Sequence, residues 1–115
     1  MDTGAVRRQS IGATAQARQE EPILKHNTYF DGKVQSIGFE RNGRRATAGV
    51  IDAGTFHFGT DATERMTVVS GELWVKLASD ADFRPYPMGT SFEVPAKSGF
   101  DVKAEAPAAY LCEFG

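Results

Sequence analysis

The sequence is short of cysteine, of surplus positive charge and of long apolar runs, and each shortage removes a class of protein. One cysteine, Cys112, leaves no intrachain disulfide and no zinc cluster; it fits a reducing compartment, so a cytoplasmic chain is expected. Lys and Arg number 13 against 15 Asp and Glu, a formal charge of −2, which provides no basic field to hold nucleic acid. No apolar run approaches the roughly 20 residues that cross a bilayer, so no membrane partner is expected either. The opening Met1-Asp-Thr-Gly-Ala-Val-Arg-Arg8 lacks the apolar segment of a secretory signal. Arg7, Arg8 and Arg18 lend some organellar flavour, against which Asp2, Glu20 and Glu21 argue.

What is present suits a small β-protein. With 115 residues there is room for one core, and 12 glycines, 8 phenylalanines and a hydrophobic share of 41% fit a compact fold with many turns. Residues 1–24 carry no aromatic side chain and are rich in Ala, Gln, Arg and Glu, so they read as a flexible N-terminal tail. Residues 13–20 could form a short helix, marginal on its own. Residues 25–115 read as the folded domain.

Within that domain, period-two alternation and turn residues mark roughly eight or nine strands. The stretch 33–39 reads as a strand, Asn42-Gly43 as a turn, and 44–51 as the strand that pairs back. Phe56 and Phe58 alternate with polar neighbours before a polar loop at 59–63. Met66 and Val68 then share one face of the next strand, and Ser70-Gly71 reads as a hairpin turn into 72–77. Pro85 and Pro87 make 83–88 an edge segment. Strands at 90–94, 100–104 and 108–114 complete an all-β sandwich or barrel.

The shape Glu64-x-x-x-Val68-x-x-Gly71-x-Leu73, followed by Gly89-Thr-Ser-Phe-Glu-Val-Pro95, resembles the two motifs of the cupin superfamily of jelly-roll β-barrels. Cupins carry metal-binding histidines just before the glutamate and after the second motif. Phe58, Thr60 and Phe100 stand in those places here, and of the ligand set only Glu64 remains. Several N or O donors must converge to bind a metal. His57, one residue off, faces away from Phe58 by alternation, and His26 lies beside the tail, so no metal cofactor is expected.

A narrower resemblance rests on Asn27-Thr-Tyr-Phe-Asp-Gly-Lys-Val-Gln-Ser-Ile-Gly-Phe39, with Phe58-x-Thr60, Glu64-x-Met-Thr-Val68, Ser70-Gly-x-Leu73 and Tyr110-Leu-Cys112. Together these are similar to the small cupin family of pyrimidine/purine nucleoside phosphorylases. The resemblance implies a homodimer that converts purine and pyrimidine nucleosides plus phosphate to free base and ribose 1-phosphate, with phosphate as co-substrate and no other cofactor.

That chemistry asks for a phosphate site, a group to orient ribose and a surface for the base. Phosphate binds Arg or Lys, hydroxyls or turn amides, for which Arg45, Lys33, Thr60 and the amides of 59–62 are candidates. Glu64, if it shares the inward face of Met66 and Val68, is a carboxylate in apolar surroundings, either orienting ribose hydroxyls or anchoring loop amides. Tyr29, Phe58, Phe92 and Phe100 are candidates for stacking on the base, with Met66 an adaptable apolar wall. Phe30, Phe56 and Tyr110 belong to the same aromatic surplus, of which most is core and one or two rings could stack on the base, and Cys112 reads as packing. The alternative is a metal-free cupin that binds a small molecule as a sensor or store without transforming it.

Overall fold

The computed structural model describes residues 24–115, so the helix proposed at 13–20 and nearly all of the tail lie outside the described residues. The described chain has ten strands: β1 (Lys25–Tyr29), β2 (Val34–Arg41), β3 (Arg44–Ile51), β4 (Gly54–Gly59), β5 (Glu64–Ser70), β6 (Glu72–Leu77), β7 (Arg84–Pro87), β8 (Ser91–Val94), β9 (Gly99–Ala104) and β10 (Ala108–Phe114). They form two antiparallel sheets in the orders β1-β2-β3-β10-β5-β8 and β4-β9-β6-β7. The fold is all-β, as the alternation and turn spacing predict. Among the described residues there is no helix long and apolar enough to cross a membrane.

Turn chemistry accounts for much of the order. Asn42 and Gly43 take φ of 54° and 77°, the left-handed pair that lets β2 and β3 close as a tight hairpin. β7, with its two prolines, pairs only with β6 and sits at an edge, where missing N–H donors cost least. β1 is an edge strand that the sequence pattern does not reveal, because its exposed, polar Lys-His-Asn-Thr-Tyr gives little alternation.

The Ser70-Gly71 turn differs from expectation. β5 and β6 do not form a hairpin: β5 pairs with β10 and β8, and β6 pairs with β7 and β9. Gly71, at φ 79°, is the corner where the chain leaves one sheet for the other. A Cβ there would stand 3.2 Å from Ala108, so the corner also needs the missing side chain for close approach. Likewise β4 and β5, read as strands flanking one loop, lie in opposite sheets. A glycine turn between two alternating runs looks the same locally whether the strands pair or part.

The inner faces meet in a core whose fully buried side chains include Val34, Ile51, Val68, Leu73, Val75, Val94 and Val102. Met66 and Val68 face inward as the alternation predicts, and Glu64, two residues earlier on β5, lies on the same face.

Candidate functional site

A cavity of about 430 Å³ lies between the sheets. Its two walls differ in chemistry. The six-stranded sheet contributes Ser36 from β2, Arg45 and Thr47 from β3, Glu64 from β5, and Tyr110, Cys112 and Phe114 from β10. Register explains this grouping: Cys112 lies opposite both Thr47 and Met66, and Phe114 lies opposite Glu64, so alternate residues of three strands reach one floor. The four-stranded sheet contributes Phe58 and Phe100, stacked with centroids 5.5 Å apart. Tyr29 and Phe30, at the end of β1 and in the turn after it, line the same space.

The polar wall is internally bonded. Cys112 Sγ donates to Glu64 Oε1 at 3.5 Å. Burial raises the Glu64 carboxyl above its ordinary 4.5; the bond from Cys112 opposes this, and the nearby Asp61 adds to it. Burial, and then the Glu64 charge, push the Cys112 thiol far upward, so it stays protonated and acts as a donor rather than a nucleophile. Tyr110, pushed up to about 12 mainly by burial, is hydrogen-bonded to Ser36, which also receives Asn27 Nδ2 at 3.4 Å. The Tyr110 ring fits because Gly49, opposite it on β3, has no side chain; a Cβ there would stand 2.6 Å from Tyr110 Cζ. The Arg45 guanidinium lies over the Phe114 ring at 4.9 Å, and both residues line the cavity.

Of the residues singled out from sequence, the cavity brings together Tyr29, Arg45, Phe58, Glu64, Met66 and Phe100. Three others lie elsewhere. Thr60 is buried, and its polar atoms are occupied: Oγ1 donates to Pro95 O at 2.7 Å and accepts from Ser98 N at 2.9 Å, while its own N–H donates to Ser98 O. It therefore fastens the β4–β5 loop to the β8–β9 turn, and the Thr60 amide is likewise not free to cradle an anion. Lys33 is exposed in the turn just before β2 and lines a groove on the outside of the six-stranded sheet. Phe92 is core, packed against Tyr86 and Phe100.

The cavity residues that sequence reading missed are Ser36, Thr47 and Phe114, with Cys112 counted only as packing and Phe30 only as one of seven surplus aromatics. Small polar residues on half-buried strands give no signal until strand register shows which face each one joins. Phe30, beside Asp31-Gly32, is legible only as an aromatic in a turn.

The residues present do not fit a metal. At the cupin ligand positions, Phe58 and Phe100 present stacked rings, and Thr60 is bonded into the loop. His57 faces outward, with Nδ1 2.8 Å from Asp101 Oδ1. Among the described residues no three His, Cys, Asp or Glu side chains converge.

Fold and site together define a cupin-type barrel in which two phenylalanines and a hydrogen-bonded threonine stand where metal-binding histidines would be. An RmlC-like cupin from Shewanella frigidimarina has a similar fold, with a TM-score of 0.61 at 17% identity over 81% of this chain and 93% of that one. The pyrimidine/purine nucleoside phosphorylase family model matches residues 24–114, and the chain belongs to that family. A pyrimidine/purine nucleoside phosphorylase of Anaeromyxobacter sp. strain Fw109-5 is 77% identical over 92 residues, covering 80% of this chain and 88% of that protein. A solved protein of unknown function from Vibrio parahaemolyticus superposes with a TM-score of 0.76 at 46% identity, covering 78% of this chain and 96% of that one.

Proposed function

We propose that the interior cavity catalyses phosphorolysis of nucleosides, both purine and pyrimidine, as a pentosyl transfer to inorganic phosphate. The observation that carries this reading is the division of one cavity into a polar wall and an aromatic wall, in a chain whose relatives are named for the activity. Phosphate binds at the rim against the Arg45 guanidinium, whose fork suits its oxygens. Glu64 accepts from the ribose hydroxyls and holds negative charge near the sugar as it becomes oxocarbenium-like. A phosphate oxygen then forms the new bond to C1′ while the C1′–N bond breaks. The base leaves with that electron pair and takes up, through water, the proton that the hydrogen phosphate gives up as its oxygen bonds to C1′. Met66 and the aromatic wall hold the base. The step needs no metal, and the protein works as a homodimer in the cytoplasm.

The test is incubation of the purified protein with inosine or uridine, with and without phosphate, and chromatography for free base and ribose 1-phosphate. Base release is expected only with phosphate, at a rate unchanged by exhaustive chelation. Nucleoside binding without base release would identify a binding module instead. A stoichiometric metal lost together with activity would overturn the metal-free step.

A further inference from the structure

The turn between β1 and β2 is built against backbone preference. Phe30, Asp31 and Gly32 all have positive φ, at 54°, 57° and 87°, and Gly32 N–H donates to Tyr29 O at 3.1 Å. Phe30 and Asp31 are thus the central residues of a left-handed tight turn, a place usually taken by Asn, Asp or Gly. A bulky side chain there is a genuine outlier, because its Cβ crowds the neighbouring carbonyl. Such outliers cluster where function needs a side chain held in place.

The Phe30 side chain is not hidden in compensation. The residue is 43% exposed, one of the seven exposed large apolar residues of the described chain. Its ring leans on Phe56 at 5.0 Å and meets Phe58 edge-on at 5.6 Å, and Phe58 stacks on Phe100. The row of rings therefore runs from the core to the cavity mouth and ends in a partly uncovered ring. The polar cavity side chains sit mainly on the opposite wall, so this end can grip a base through its flat face without reading its edge.

We infer that Phe30, held at the mouth by the strained turn, is the stacking platform for the nucleobase and sets the relative preference for purines and pyrimidines. This rests on the phosphorolysis reading for the substrate class, but the ring arrangement stands without it. A face-on platform accepts every base, and it favours the larger overlap of a bicyclic purine.

The test compares wild type with Phe30→Asn, which suits the left-handed backbone and removes the ring, and with Phe30→Tyr, which keeps it. In Phe30→Asn the KM for inosine should rise roughly tenfold or more, that for uridine less, and that for phosphate not at all. Its melting temperature should not fall, and Phe30→Tyr should restore the nucleoside KM. Unchanged nucleoside KM values overturn the platform, as does early melting with equal losses for inosine, uridine and phosphate. If wild type releases no base, the phosphorolysis reading fails separately. Calorimetric binding of hypoxanthine then decides the platform, supporting it if Phe30→Asn binds more weakly and overturning it if the two bind alike.

Discussion

Glu64 combines the position proposed for catalysis with a structural cost. Its carboxyl is half-buried, receives the Cys112 thiol and has a raised pKa chiefly through lost hydration. Such a group stabilises the fold fully below its unfolded value near 4.5, and that contribution is lost as pH climbs through the higher folded value. Glutamine has no proton to lose and is easier to bury than a charge. The melting temperature of Glu64→Gln should therefore gain on wild type as pH is raised from about 4 to about 7. Turnover should move the other way, with kcat/KM falling by ~10² as one preorganised charge is removed. A variant that melts early at neutral pH yet keeps full phosphorolysis would make Glu64 a loop anchor. Cys112, read from sequence as packing, fills the core and also presents a donor to the carboxylate in the cavity floor.

Among the elements, the β4–β5 loop illustrates how a residue suited to phosphate was taken for another purpose. Thr60 joins two loops through its hydroxyl, which is both donor and acceptor. Thr60→Val keeps the shape and strands the Ser98 N–H and the Pro95 carbonyl. Urea denaturation should register a loss of ~1–3 kcal/mol, the cost of leaving buried polar groups unpaired. The KM for phosphate should stay near wild type, and a large rise in it without loss of stability would return Thr60 to the phosphate site. The β2–β3 hairpin was legible because Asn42-Gly43 has one conformation that fits its place. The corner at Gly71 was not, since glycine serves a hairpin and a change of sheet equally well.

For the whole molecule, the outer face of the six-stranded sheet bears on the proposed homodimer. Ile37, Val50 and Val69 are 38%, 50% and 49% exposed, on strands that are neighbours or nearly so in the sheet. An apolar sheet face of this kind favours a protein partner over water. Light scattering should give the mass of two chains for wild type and of one for the double variant Ile37→Asp/Val50→Asp. A wild-type monomer at micromolar concentration would remove the homodimer, and a dimeric double variant would place its interface elsewhere.

By itself the sequence determined the class of fold, the inward face of Met66 and Val68, the tight turn at Asn42-Gly43 and the phenylalanines where metal ligands would be. These follow from local rules: alternation assigns faces, glycine and asparagine admit positive φ, and a side chain without a donor cannot ligate. Tertiary structure decided which strands pair, and hence that Ser36, Thr47, Glu64 and Cys112 share one floor while Thr60 and Phe92 are spent elsewhere. It also decided that an edge strand of polar residues carries Tyr29 and Phe30 to the cavity mouth. The physical reason is that pairing in this barrel is long-range: β3 meets β10 across most of the domain, and no local pattern specifies a partner that far along the chain.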